Sequence, residues 1–369
     1  MRDRLTAYTA GLSWAALALL PLTLLITALM TAPFILLAGA NPLAVYYSYL
    51  IVPLASTFTL LEVLVSATPI LFTGAAVALA FRAGYWNIGV EGQLLCGAIA
   101  AAWMGTLVGG LPSLAALPLM IFAGALAGAL WALGPALLRV RLGIDEVVTT
   151  LLLNPVALLL VNALLHGPWR DPVTGFPESE RIAASAQFPM LLERSRLHLG
   201  FVLALLIIGV LWFVLARTAV GVRLRAAGLS PNAARFAGIS VGRTLLGAAL
   251  ISGAIAGIAG VSEIAGLQYR LTSGVSPGFG YTGIVVATLG GLSMPGVALA
   301  GLLLGDLRVG AGTAGRALGV PSQLGEIVQA TLLLVTVALL VLHRYGVLHR
   351  VITRLRRGRR GASPEETAA

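Results

Sequence analysis

The sequence contains no lysine. All 24 of its basic side chains are arginine. This excludes a standard P-loop ATPase site, where a lysine must reach the nucleotide phosphates. A single cysteine, Cys96, excludes an intrachain disulfide. It lies in an apolar run and reads as a packing residue. The four histidines (His166, His198, His343 and His349) are scattered at the ends of apolar runs, and there is no His-Glu-x-x-His. No metal site is expected. Charged residues make up 10% of the chain, against about 25% in soluble domains. So few charges cannot cover a water-facing surface. Gly238-Ile-Ser-Val-Gly242 spells a nucleophile elbow. It has no preceding strand and no nearby histidine or acid, and among 44 glycines the match is one of chance. No catalytic residue is assigned, and the chain is not expected to be an enzyme.

Apolar residues are abundant: they form 58% of the chain, and the mean hydropathy is +0.95. Runs such as 12–37 and 202–215 have the length and composition of membrane spans. Backbone groups in lipid must bond internally, so each run should be helical. None shows the period-2 alternation of a membrane barrel. Hydropathy places spans near 12–38, 60–81, 91–108, 114–138, 145–165, 199–216, 244–266 and 323–343. Two shorter Gly-rich runs lie near 281–293 and 296–307. The expected fold is an all-α polytopic membrane protein with eight to ten crossings, ten being preferred, in a single transmembrane domain over 1–369. Met1-Arg2-Asp3-Arg4 precedes a run longer than the apolar core of a signal peptide. It is read as the start of an uncleaved first span.

The net charge of +10 is not spread evenly. Arg82, Arg139 and Arg141 mark span ends. The segment 217–243 carries Arg217, Arg223, Arg225, Arg235 and Arg243 without an acid, and 344–369 forms a basic tail. The positive-inside rule places these in the cytoplasm together with both termini, and the tail beside anionic lipid. Such a distribution argues against nucleic acid as the partner. The segment 167–198 balances four arginines against Asp171, Glu178, Glu180 and Glu193 and contains four prolines. It should face outward, either as a surface for a soluble partner or as a plain connector.

Polar groups within spans are costly and are functional candidates by default. Asn87, Glu91 and Gln93 lie in Arg82-Ala-Gly-Tyr-Trp-Asn-Ile-Gly-Val-Glu-Gly-Gln93, where three glycines permit non-helical backbone. This stretch either lines the transport pathway or forms a short cytoplasmic turn with Glu91 at a helix N-terminus. Asp145 and Glu146 open a span, where acids suit the helix dipole. Asn154 lies deeper, before Pro155, where a kink is expected. It faces either the pathway or a neighbouring helix. Glu263 ends a helix whose Gly253, Gly257 and Gly260 suit close helix packing, and it is expected near the outer mouth. Residues 271–283 read as a re-entrant stretch feeding a short helix.

The segment 221–242 is the most informative. Ser230 can cap, Pro231 fits the first helical position, and a short helix from Asn232 to Ala237 should end at Gly238. Arg225-Ala-Ala-Gly-Leu-Ser-Pro-Asn-Ala-Ala-Arg-Phe-Ala-Gly-Ile239 resembles the coupling loop of ABC importer permeases of the branched-chain amino acid/ribose type. Asn87-Ile-Gly-Val-Glu-Gly-Gln93, Asp145-Glu146 with Asn154, and Ser276-Pro-Gly-Phe-Gly280 resemble the nucleoside-uptake branch. The resemblance covers about 55–345, and Pro155 after Asn154 departs from the usual pattern.

The resemblance implies a ten-helix permease with short broken helices in the bacterial inner membrane. Its implied partners are a second homologous permease, an ABC ATPase with two nucleotide-binding domains, and an extracytoplasmic binding lipoprotein of the basic-membrane-protein family. ATP and magnesium would be bound by the ATPase, with no cofactor in this chain. Arg225, Ala226, Gly228, Pro231, Ala233, Ala234 and Gly238 are the implied coupling residues. Asn87, Glu91, Gln93 and Asn154 are chemically suited to the hydroxyls and base edges of a nucleoside. A sugar such as ribose or galactose, or a branched-chain amino acid, remains an alternative cargo. A self-sufficient secondary transporter fits less well, because buried acid pairs for ion coupling are sparse.

Overall fold

A computed structural model describes residues 21–344, apart from 172, 173 and 322. The start of the expected first span and the tail beyond Arg344 lie outside the described residues. The elements in chain order are α1 (Pro21–Leu37), α2 (Pro42–Leu50), α3 (Thr57–Arg82), α4 (Val90–Leu107), α5 (Ser113–Leu137), α6 (Glu146–His166) and α7 (Leu199–Arg217). They continue with α8 (Ala219–Leu229), α9 (Pro231–Phe236), α10 (Val241–Glu263), α11 (Phe279–Leu289), α12 (Met294–Leu318) and α13 (Gln323–Arg344). Among the described residues, seven helices are long and apolar enough to cross a membrane, and α1, α2, α11 and α13 supply shorter apolar stretches. The chain is an all-α polytopic membrane protein.

Helix α3 is the axis of the bundle. From Ala67 to Phe81 every residue is buried. Beside it α4, α5 and α10 approach one another so closely that glycine is required. A Cβ on Gly97 would strike the backbone of Gly257, and one on Gly257 would strike the Gly124 carbonyl. Gly128 and Gly253 oppose each other in the same way. Lipid offers no hydrophobic drive for helix association, so packing of this closeness is what holds such helices together.

Sequence and structure differ at three elements, each for a glycine or a cap. The run 296–307 was expected to be short, but α12 is 25 residues long. Its Gly301, Gly305 and Gly310 are packing sites against Leu71, Ala67 and Tyr49 rather than breaks. Helix α2 was not anticipated, although Asn41 caps it by accepting from the Leu43 N–H at 2.9 Å. Helix α8 was not anticipated either; its Gly221 and Gly228 press on Leu215 and on Arg82–Gly84. A kink was expected at Pro155, and α6 runs through it as one continuous helix.

The two ends of the bundle differ in character. At one end Gly84 faces the Gly228 Cα, Gly242 faces Val140, and Arg139 pairs with Glu146 at 3.0 Å. The arginine marks of the sequence are therefore gathered at one end. At the other end, 174–198 folds over the C-terminus of α10. Ser179, Ile182 and Phe188 donate backbone N–H groups to the carbonyls of Leu271, Tyr269 and Ala265 at 3.0, 2.9 and 2.8 Å. Arg270 pairs with Glu178. His198 caps α7 through the Gly200 N–H at 3.1 Å, and burial pushes its imidazole down to about 4.

Helix α11 starts inside the bundle. Thr73, in the middle of α3, donates its hydroxyl to the Phe279 carbonyl at 3.0 Å, and Gly283 lies against the same threonine. The chain from Tyr269 thus descends from the loop end to mid-depth before α11 begins, as expected for a re-entrant stretch.

If glycine contact sets the α5–α10 distance, Gly257→Val must push backbone apart. Overpacking of this kind costs about 1–3 kcal/mol or more. The melting temperature of detergent-purified protein should fall well below wild type. Gly247→Val, at a position with open space around it, should leave it unchanged.

Candidate functional site

Leaving α3, the chain turns at Gly84, whose φ is +80°. It then crosses to α4 over 83–89. The N–H groups of 83–85 still bond to the end of α3; beyond them the backbone is bonded by side chains of α6. The Trp86 N–H donates to the Glu146 carboxylate at 3.3 Å, and the Ile88 N–H donates to the Thr150 hydroxyl at 3.2 Å. Asn154 closes the turn: its amide donates to the Ile88 carbonyl at 3.0 Å, and its oxygen accepts from the Gly92 N–H at 2.9 Å.

The Asn87 and Gln93 amides form a reciprocal pair, at 2.9 Å one way and 3.0 Å the other. Asn87 also donates to the Ser252 hydroxyl on α10 at 2.9 Å, and Ser252 donates to the Ala76 carbonyl on α3 at 2.8 Å. Glu91 points toward α11, where it accepts from the Gly280 N–H at 2.6 Å. The Ser276 hydroxyl also reaches it. The four residues singled out from the sequence thus come together, all buried, and every one of them bonds to the protein itself. Buried polar groups require such partners. Their arrangement fastens α3, α4, α6, α10 and α11 at one level.

Above this knot, toward the loop end, is a cavity of about 490 Å³. Its walls include Glu62 and Ser66 of α3, Glu263 and Gln268 at the end of α10, Phe279 of α11 and Arg308 of α12. Glu62 is bound by Arg196. The Arg308 guanidinium lies 4.7 Å over the Phe279 ring, within electrostatic reach of Glu91, Glu263 and Glu326. Glu263, expected near the outer mouth, is 3% exposed yet contributes to this wall. Arg308 was missed in the sequence because 296–307 was read as a short Gly-rich run. An ionisable residue within an apolar helix was the signal that would have found it.

The opposite end carries the arginine-rich elements. Ser230 caps α9 by accepting from the Ala233 N–H at 3.4 Å, Pro231 takes the first position, and Gly238 has φ of +76°. The helix runs over Pro231–Phe236. Ala234 is buried against α8 and α10, whereas Pro231, Ala233, Arg235 and Gly238 are exposed. Phe236 is 97% exposed, an apolar knob that the sequence reading passed over. Arg225 and Ala226 are half-buried on α8. Gly228 lies on the Arg82–Gly84 backbone, a few residues from the Asn87 knot.

The knot makes an energetic statement that can be measured. Asn87→Leu leaves Gln93 and Ser252 short of partners, at roughly 1–3 kcal/mol for each buried group. Removing both amides in Asn87→Leu/Gln93→Leu should cost less than the sum of the two single variants. Additive losses in thermal unfolding would show that the pair is not coupled.

Residues 59–337 match the family described as branched-chain amino acid transport system / permease component. The guanosine ABC transporter permease protein NupP of Bacillus subtilis is 38% identical over 320 residues, which is 86% of this chain and 92% of that protein. The glucose ABC transporter permease protein TsgB13 of Haloferax volcanii is 37% identical, with 91% and 90% covered. The nucleoside ABC transporter permease protein NupB of Lactococcus lactis is 31% identical, with 85% and 89% covered. No solved structure matches significantly. With a helical bundle embedded in the membrane, a polar turn fastened at its centre and a family match over most of its length, this chain belongs to the permease-component family of branched-chain amino acid transport systems and is an ABC transporter permease.

Proposed function

We propose that this permease forms one half of the pathway of an ATP-driven importer for nucleosides. The carrying observation is the similarity over most of the chain to permeases named for guanosine and for nucleosides. A second reading, import of a sugar, draws on the similarity to the Haloferax glucose permease. Uptake of labelled adenosine and of labelled glucose by cells expressing the transporter separates the two.

In this reading the arginine-rich end faces the cytoplasm with both termini, and 167–198 faces the extracytoplasmic binding protein. The second half of the pathway comes from a homologous permease. The motor is a separate ATPase, which binds ATP and magnesium. Helix α9 docks on that ATPase through Pro231, Ala233 and Phe236, while Ala234 and Gly238 fix its geometry. Arg225 and Ala226 carry α8, and Gly228 transmits its movement to the Arg82–Gly84 backbone.

Asn87, Glu91, Gln93 and Asn154 are the pathway residues of this proposal. They stand between the coupling end and the re-entrant stretch. Glu91, bonded at Gly280, ties the turn after α3 to α11. A shift of Gly228 against Gly84 therefore has a short, hydrogen-bonded route to the loop that borders the cavity. Coupling by this route needs a bistable element whose two arrangements the ATPase biases.

Phe236→Asp alters a side chain that contributes nothing to the bundle. Membrane levels should match wild type. Adenosine uptake should drop at least tenfold, and the ATPase should no longer co-purify. Gly228→Glu and Ala234→Glu should also abolish uptake while the protein remains in the membrane. Normal uptake in all three variants would reject the coupling role.

A further inference from the structure

The cavity at the loop end has features of a ligand site that helix packing alone does not require. Its volume of about 490 Å³ falls among small-molecule sites, which span about 300–1,000 Å³. Its floor is locally irregular. Helix α10 passes into a π-type turn over Ile264–Gln268, and Tyr269 adopts a left-handed φ of +58°. Such turns, and such φ values in residues other than glycine, cluster at functional sites. The consequence is local: Leu267 and Gln268 line the cavity directly after Glu263.

The chemistry of the wall narrows the ligand. Glu263 is buried and aimed at the cavity, with the Gln268 amide beside it. Gln268 is held by Thr272 at 2.8 Å and by the Val275 carbonyl at 3.2 Å, so it is presented in a set orientation. Arg308 is stacked on Phe279, which leaves its N–H edge to donate. Arg196 is taken by Glu62, and Arg308 lies among Glu91, Glu263 and Glu326. Arg316 also lines the cavity, so its wall sets cations and acids side by side. The Glu263 carboxyl group presents two oxygens, which suits two adjacent hydroxyls.

We propose that Glu263, Gln268 and Arg308 form a passage subsite for the vicinal diol of a solute, such as the ribose of a nucleoside. This rests on the import reading above and deepens it. Glu263 accepts from the two hydroxyls, Gln268 orients the carboxylate, and Arg308 donates to ring or carbonyl oxygens of the ligand.

The test reads occupancy rather than turnover. Ser66→Cys places a thiol on the cavity wall, in a Cys96→Ser background. The transporter, assembled with its partner subunits in nanodiscs, is reacted with a membrane-impermeant thiol reagent. No binding protein is added, so ligands reach the cavity directly. Millimolar adenosine should slow modification at least fivefold. The same concentration of 2′,3′-dideoxyadenosine should slow it less than twofold. Adding Glu263→Gln should remove the adenosine effect without changing the unprotected rate. Equal protection by adenosine and dideoxyadenosine overturns the subsite, as does protection that survives Glu263→Gln. No protection while cells take up adenosine also overturns it and leaves the import reading standing. No protection and no uptake overturns both.

Discussion

Backbone against backbone at the glycines of α4, α5 and α10 is the contact on which the rest depends. Lipid tails are as apolar as leucine, so burying leucine brings no helices together. What brings them together is contact that only a missing Cβ permits, as between Gly257 and Gly124 or Gly128 and Gly253. Those distances decide that Ser252 on α10 can reach both Ala76 and Asn87. They also decide how far the 83–89 turn must stretch, and so whether Glu146, Thr150 and Asn154 of α6 can bond it.

Polar residues in this bundle serve two different ends. In the knot, Asn87, Gln93 and Ser252 complete one another's hydrogen bonds, Asn154 bonds the Ile88 carbonyl and the Gly92 N–H, and together they leave a joint among α3, α4, α6 and α10. In the cavity, Glu62, Glu263, Arg196 and Arg308 are paired by charge but still line open space. The first arrangement lowers the cost of non-helical backbone at depth, which is tolerated where it is buried in protein. The second holds polar groups ready for a solute. Glu91, in the first turn of α4, links the knot to the start of α11 through the Gly280 N–H.

A chain without lysine cannot carry a standard P-loop. In the proposed importer the force comes from a separate ATPase and enters at the arginine-rich end. Helix α9 is six residues, capped by Ser230 and stopped by Gly238, and it stands clear of the bundle except at Ala234. Its neighbour α8 lies on the backbone that leads to the knot. An exposed element on a rigid lever, ending at a hydrogen-bonded turn, is a physical route from one end of the molecule to the middle.

Local chemistry alone determined much of this protein. Hydropathy runs set the class and most helix bounds, because a bilayer demands about 20 apolar residues per span. Arginine placement sorted the two ends, and Ser230, Pro231 and Gly238 wrote the short helix α9 in cap chemistry. Four buried polar residues were also legible as special, because lipid does not tolerate them idly. What each one touches was decided by tertiary structure. Asn87 meets Ser252 across 165 residues, and Thr73 meets Phe279 across 206. The same holds for glycine: one residue type makes a turn at Gly84 and a packing face at Gly301 and Gly305, and only the neighbouring helix distinguishes the two. Arg308 and Glu263 become one wall for that reason, since hydropathy records that a span exists and carries nothing about which helix stands beside it.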